Sequence, residues 1–120
     1  MNTFVITDAG RSTSKVPHEK LDCVVRAFTT FTGMSYNKAW GIMIQYRNFR
    51  KRIKQLGWNQ WIKDTYLKLN ECKATIKQFA LVYPKGRYMI GNKYHIWAMI
   101  DGKCYDTSRH NMRLTYFIHA

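Results

Sequence analysis

The chain has 120 residues, short for two domains and long enough for one that buries a core without disulfide support. Its 46% hydrophobic and 15% aromatic content argues against disorder, and no apolar run approaches the roughly 20 residues of a membrane span. Twenty Lys and Arg against seven Asp and Glu give a formal net charge of +13, which suits either a polyanionic partner or simple solubility.

The first eight residues lack both the basic start and the apolar stretch of a secretory signal, so a soluble, cytoplasmic protein without membrane contact is expected. Thr3 to Thr7 is a short β-prone run, and a polar stretch from Asp8 to Lys20 makes residues 1–20 a strand followed by an arm. Asp22 is a candidate N-cap for a helix through Phe31, ended by Gly33, which puts Cys23 in the first turn.

Ser35 can cap a second helix toward Leu56, since Ile42, Tyr46, Phe49, Ile53 and Leu56 recur at four-three-four-three spacing. Arg47, Arg50, Lys51 and Lys54 occupy one side of its second half. That face could hold phosphates, with Trp58 and Trp61 nearby for stacking on bases, or it is an ordinary solvated surface.

Residues 58–72 allow another short helix. Thr75 to Tyr83 mixes helical and strand character, and Pro84-Lys85-Gly86 stops it. Arg87 to Ile90 and Lys93 to Ile100 then read as strands, with Asp101-Gly102 as a two-residue hairpin turn into Lys103 to Thr107. Leu114 to Ile118 can add a further strand. The expected class is α+β in a single domain over residues 1–120, with N-terminal helices packed on a C-terminal antiparallel sheet.

The hairpin register sets Ile100 opposite Lys103, Met99 opposite Cys104, Trp97 opposite Asp106 and His95 opposite Ser108. His95, Trp97, Cys104, Asp106 and Ser108 therefore share a face. Asp106 becomes a diagonal neighbour of His95 at about 7–8 Å between backbones, within reach of paired polar side chains. Cys104 lies opposite Met99, on the order of 13 Å along the strand from His95, so it is not the partner cysteine. Asp101 is explained by the turn.

A cysteine at a helix start, with a histidine held by a carboxylate, is the set of groups a thiol nucleophile needs. Helix N-terminal amides favour the thiolate and an oriented imidazole moves the proton. The other reading of Cys23 is a small buried hydrophobe, and of His95 a satisfied strand residue. The three cysteines, Cys23, Cys72 and Cys104, are odd in number and match neither a zinc motif nor a disulfide framework, so reduced thiols and no metal or other cofactor are expected.

Asp22-Cys23-Val24-Val25-Arg26-Ala27, Thr32-Gly33-Met34-Ser35-Tyr36, Gly86-Arg87-Tyr88, His95 to Gly102, and Asp106-Thr107 together form a pattern. It resembles a family of small bacteriophage and bacterial proteins with a papain-like, cysteine-peptidase-type fold. The family's signature is Asp-Cys-Val-x-Arg-Ala, then Gly-x-Tyr, His-x-x-Ala-x-Ile/Val-Asp-Gly and Asp-Thr. The resemblance implies Cys23 as nucleophile, His95 as base and Asp106 as orienting residue, acting on a peptide or isopeptide substrate. Papain-like sites usually carry Gln or Asn shortly before the cysteine for the oxyanion. Here Pro17 to Leu21 offer Lys20 or His18 instead, beside backbone amides.

Three readings follow. The first is a phage-type papain-like thiol hydrolase, active or degenerate, working in the host cytoplasm if phage-encoded. The second is a non-enzymatic module of the same fold whose Arg47, Arg50, Lys51 and Lys54 face binds nucleic acid or an acidic host protein. The third is a structural protein assembling through aromatic surface. The sequence leaves oligomeric state open.

Overall fold

The computed structural model describes residues 3–10, 12, 23–43, 70–92, 94–107 and 109–119. Helix α1 (Cys23–Thr32) buries Val24, Val25, Ala27, Phe28 and Phe31, the one-face spacing of an amphipathic helix. Thr29 and Thr32 donate their hydroxyls to the carbonyls of Val25 and Phe28, each at 2.7 Å, which accommodates threonine inside a helix. Gly33, at φ 80°, ends α1 and donates its amide to Thr29 O at 2.9 Å. Helix α2 (Tyr36–Met43) follows Ser35, whose hydroxyl accepts from Lys38 N at 3.2 Å as an N-cap does. The expected continuation of this helix toward Leu56, with Arg47, Arg50, Lys51 and Lys54, lies outside the described residues, as do His18 and Lys20.

The strands are β1 (Phe4–Ile6), β2 (Asn70–Thr75), β3 (Arg87–Gly91), β4 (Ile96–Ile100), β5 (Lys103–Asp106) and β6 (Arg113–His119). Helix α3 (Ile76–Val82) follows β2 directly. Its mixed local character is decided by a capping box: the Thr75 hydroxyl accepts from Gln78 N at 3.2 Å, and Gln78 Oε1 accepts from Thr75 N at 2.9 Å. Residues 70–72, the end of the stretch that allows another short helix, begin β2, and the rest of that stretch lies outside the described residues. Asp101 at φ 48° and Gly102 at φ 78° make the two-residue turn with both residues left-handed, and Ile100↔Lys103 and Met99↔Cys104 pair in the expected register.

The sheet runs β1-β5-β4-β3-β6-β2. It is mixed, which corrects the expectation of an antiparallel sheet: β1 lies parallel to β5, with Ile6 beside Asp106. No hairpin turn joins these two strands, so nothing local in the sequence sets their relative direction. A second correction concerns the layers. Ile96 and Ala98 of β4 pack with α1 and α2, whereas Trp97 and Met99 pack with Phe79 and Ile76 of α3. The sheet therefore has helices on both faces, and central β4 is apolar on both sides for that reason. Among the described residues no helix is long and apolar enough to cross a membrane.

Candidate active site

Cys23 is the first residue of α1, which places it in the turn where a helix's amide N–H groups point outward. The fully buried Val24 and Val25 seat this turn against the sheet. At the other end of α1, Arg87 Nη1 donates to Thr30 O at 3.0 Å and Phe31 O at 3.1 Å, tying the helix C-terminus to β3. Cys23 itself is half-buried and reachable from solvent.

His95 precedes β4 rather than lying in it, so the strand expected from Lys93 starts at Ile96. A short connection from β3 holds it there. Buried Asn92 accepts at Oδ1 from Tyr94 N at 2.8 Å and His95 N at 3.0 Å, and its Nδ2 donates to Arg113 O at 2.8 Å. Asn92 N also donates to His95 O at 3.0 Å. The preceding Gly91 has no room for a side chain, since a Cβ there would stand 2.6 Å from the Tyr116 hydroxyl and 2.9 Å from His95 O. The His95 ring packs on Trp97 with centroids 4.6 Å apart.

Asp106 ends β5, and its backbone oxygen accepts from Thr7 N at 2.8 Å. Its carboxylate bonds two side chains besides the Thr107 amide. Oδ2 meets His95 Nε2 at 3.0 Å, and Oδ1 accepts from Arg26 Nη1. Cys23 lies close enough to the same imidazole to act on its titration. With Nε2 engaged by Asp106, Nδ1 is the nitrogen left to serve the sulfur. Three of the sequence's candidates, Cys23, His95 and Asp106, thus converge in the order thiol, imidazole, carboxylate.

The electrostatics follow from this order. Burial works to lower the His95 pKa, but the Asp106 hydrogen bond and the Cys23 thiol outweigh it, and the pKa is raised to about 9. Burial works to raise that of Asp106, and the hydrogen bonds from His95 and Thr107 with the Arg26 charge bring it down to about 2. At neutral pH the pair is imidazolium and carboxylate. The other cysteines are placed differently: Cys104 is buried, and burial together with Asp106 pushes its thiol pKa up. Cys72, on edge strand β2, is raised by burial against a hydrogen bond at Ala74.

Arg26 was missed as a site residue, although Cys23 and Arg26 at i and i+3 share one helix face. Asn92 was missed as well; its signal was the Gly91-Asn92 dipeptide, a turn pair between two β-prone runs. Beside the His95–Asp106 pair lies a recess of about 230 Å³ lined by Tyr94, His95, Trp97, Asp106, His110 and Met112. Tyr94 and Met112 are exposed apolar side chains at its mouth. Among the described residues no group of three His, Cys, Asp or Glu side chains is arranged to hold a metal ion.

Comparison of the chain with models of known protein families, with curated proteins and with solved structures gave no match. A functional reading therefore rests on the residues and their geometry.

Proposed function

We propose that this protein is a papain-like thiol hydrolase, of peptidase or isopeptidase type, with Cys23 as nucleophile, His95 as proton carrier and Asp106 as the residue that orients the ring. The observation that carries the reading is the Cys23–His95–Asp106 array, assembled from a helix start, a turn and a strand end. The resemblance of the Asp22 to Ala27 and His95 to Gly102 segments, which carry Cys23 and His95, to small phage and bacterial proteins of that fold is in keeping with it.

In the proposed reaction the thiol proton of Cys23 is carried on the His95 imidazolium, and the sulfur so freed attacks the acyl carbon of an amide. The His95 imidazolium gives its proton to the departing amine, leaving a thioester and a neutral ring. The ring then takes a proton from water, whose oxygen attacks the thioester, and the acid departs as the C–S bond breaks, returning the sulfur and the imidazolium to their starting state. Asp106 holds Nε2–H throughout and stabilises the imidazolium without taking its proton. The recess beside His95 is open to a substrate side chain, and its Trp97, Tyr94 and Met112 walls favour an apolar one.

The test is turnover of fluorogenic peptide and isopeptide substrates by Cys23→Ala and Cys72→Ala proteins, with iodoacetamide labelling of the wild type read by mass spectrometry. Turnover lost in the first variant and kept in the second supports the proposal, as does labelling of Cys23 ahead of Cys72 and Cys104 that slows in His95→Ala. Equal turnover in both variants removes it.

A further inference from the structure

The Arg26–Asp106 contact lies outside the three-residue scheme, yet it joins the helix carrying the nucleophile to the carboxylate that holds the base. Arg26 Nη1 donates to Asp106 Oδ1, and the same nitrogen lies 3.5 Å from the Thr107 hydroxyl. Arg26 is only 11% exposed and Asp106 6%, so this is a shielded ion pair and not a surface one. Besides the Thr107 amide, the carboxylate is held by His95 through Oδ2, and the Arg26 bond at Oδ1 is the side-chain contact that ties its plane to α1. Because Cys23 stands one turn before Arg26 on the same face, the bond also sets the height and rotation of α1 relative to the ring.

We propose that Arg26 is a positioning residue that locks helix α1 onto Asp106, so that one carboxylate aligns the imidazole and registers the Cys23 sulfur against it. The inference rests on the hydrolase reading for its catalytic meaning, but the alignment itself is a property of the His95–Asp106 pair. Among the described residues the titratable groups acting on the His95 ring are Cys23 from α1 and Asp106 from β5, with Arg26 on the carboxylate and His110 and Tyr94 lining the same recess. Arg26 is the cation among them that binds the carboxylate directly.

A helix that is merely stapled in place makes a competing prediction, and the fold supplies the control. Arg87 fastens the opposite end of α1 through Thr30 and Phe31 and pairs with Ile100, at the end of the β3–β4 hairpin away from the His95 turn. The experiment measures three quantities in wild type, Arg26→Ala, Arg26→Lys and Arg87→Ala: the melting temperature, the His95 pKa by NMR titration, and the pH dependence of Cys23 alkylation by iodoacetamide. Loss of the Arg26 charge alone would raise the His95 pKa, so a fall from about 9 toward 6.5 in Arg26→Ala is the mark of lost alignment, and Cys23 labelling at neutral pH should slow about 10- to 100-fold with it. Arg26→Lys, which keeps a single donor and the charge, should recover part of both. Arg87→Ala should lower the melting temperature and leave the His95 titration where it was.

If Arg26→Ala behaves as Arg87→Ala does, with stability lost and His95 unmoved, the positioning role is overturned. Failure of the hydrolase reading looks different. Wild-type Cys23 would then label no faster than Cys72, while the dependence of the His95 pKa on Arg26 would persist and uphold the positioning role.

Discussion

At the scale of single residues, His95 and Asp106 make opposite contributions to stability as pH changes. The His95 pKa is raised from the ordinary 6.5 to about 9, so its contribution is complete below about pH 6.5 and is lost as pH rises through about 9. The Asp106 pKa is lowered from 3.8 to about 2, so its contribution is present above about pH 4 and is lost as pH falls through about 2. The urea midpoint should therefore decline between pH 6.5 and 9, and His95→Ala should flatten that decline; a slope unchanged in the variant would mean that His95 titrates alike in folded and unfolded chains. Turnover should fall as pH rises through about 9, because the leaving amine needs the His95 proton. The three groups of this array were legible in the sequence because each sits in a short, locally meaningful setting: a helix start, a strand entry, a strand end. Arg26 was not, since an arginine on a helix face is ordinarily solvated, and only the tertiary approach of Asp106, 80 positions away, gives it a partner.

At the scale of elements, the approach to His95 depends on a close packing of backbone and side chain. Tyr116 on β6 places its hydroxyl over Gly91 and 3.4 Å from Asn92 O, so β6 presses on the turn that aims the histidine. Gly91→Ala would put a methyl group 2.6 Å from that hydroxyl and 2.8 Å from the ring carbon bearing it. The substitution should cost about 1–3 kcal/mol in denaturant unfolding and shift the His95 ring resonances, because the neighbour on the other side is the His95 carbonyl. Combining it with Tyr116→Phe removes the nearest atom and should restore part of the loss. Full stability in Gly91→Ala alone would show that the turn relaxes freely. The hairpin β4–β5 and helix α1 could be read in advance, since Asp101-Gly102 and the Val24-Phe28-Phe31 spacing are strong local codes. Helix α3 could not, because Ile76, Phe79 and Val82 suit a strand equally well and only the reciprocal Thr75–Gln78 bonds settle the choice.

For the whole molecule, the site is closed by a strand far from it in sequence. β1 is the edge of the sheet next to β5, bonded through Cys104 N to Thr3 O at 2.6 Å and through Thr7 N to Asp106 O at 2.8 Å. Those two bonds bracket β5 from its second residue to the one that carries the site carboxylate. Phe4, 7% exposed, anchors the strand in the cluster of Tyr88, Trp97, Met99 and Cys104, whereas Ile6 is 48% exposed. The parallel pairing was invisible to local pattern, and with it the fact that the N-terminal run braces Asp106. Phe4→Ala should destabilise the protein by about 3–5 kcal/mol, whereas Ile6→Ala, partly solvated already, should cost much less. If β1 braces the site, Phe4→Ala will also speed amide exchange along β5 and draw the His95 pKa down from about 9 under conditions where the chain is still folded. Should stability fall while the β5 amides and His95 keep their wild-type behaviour, β1 contributes only to the core, and the hold on Asp106 belongs to Arg26 and His95 alone.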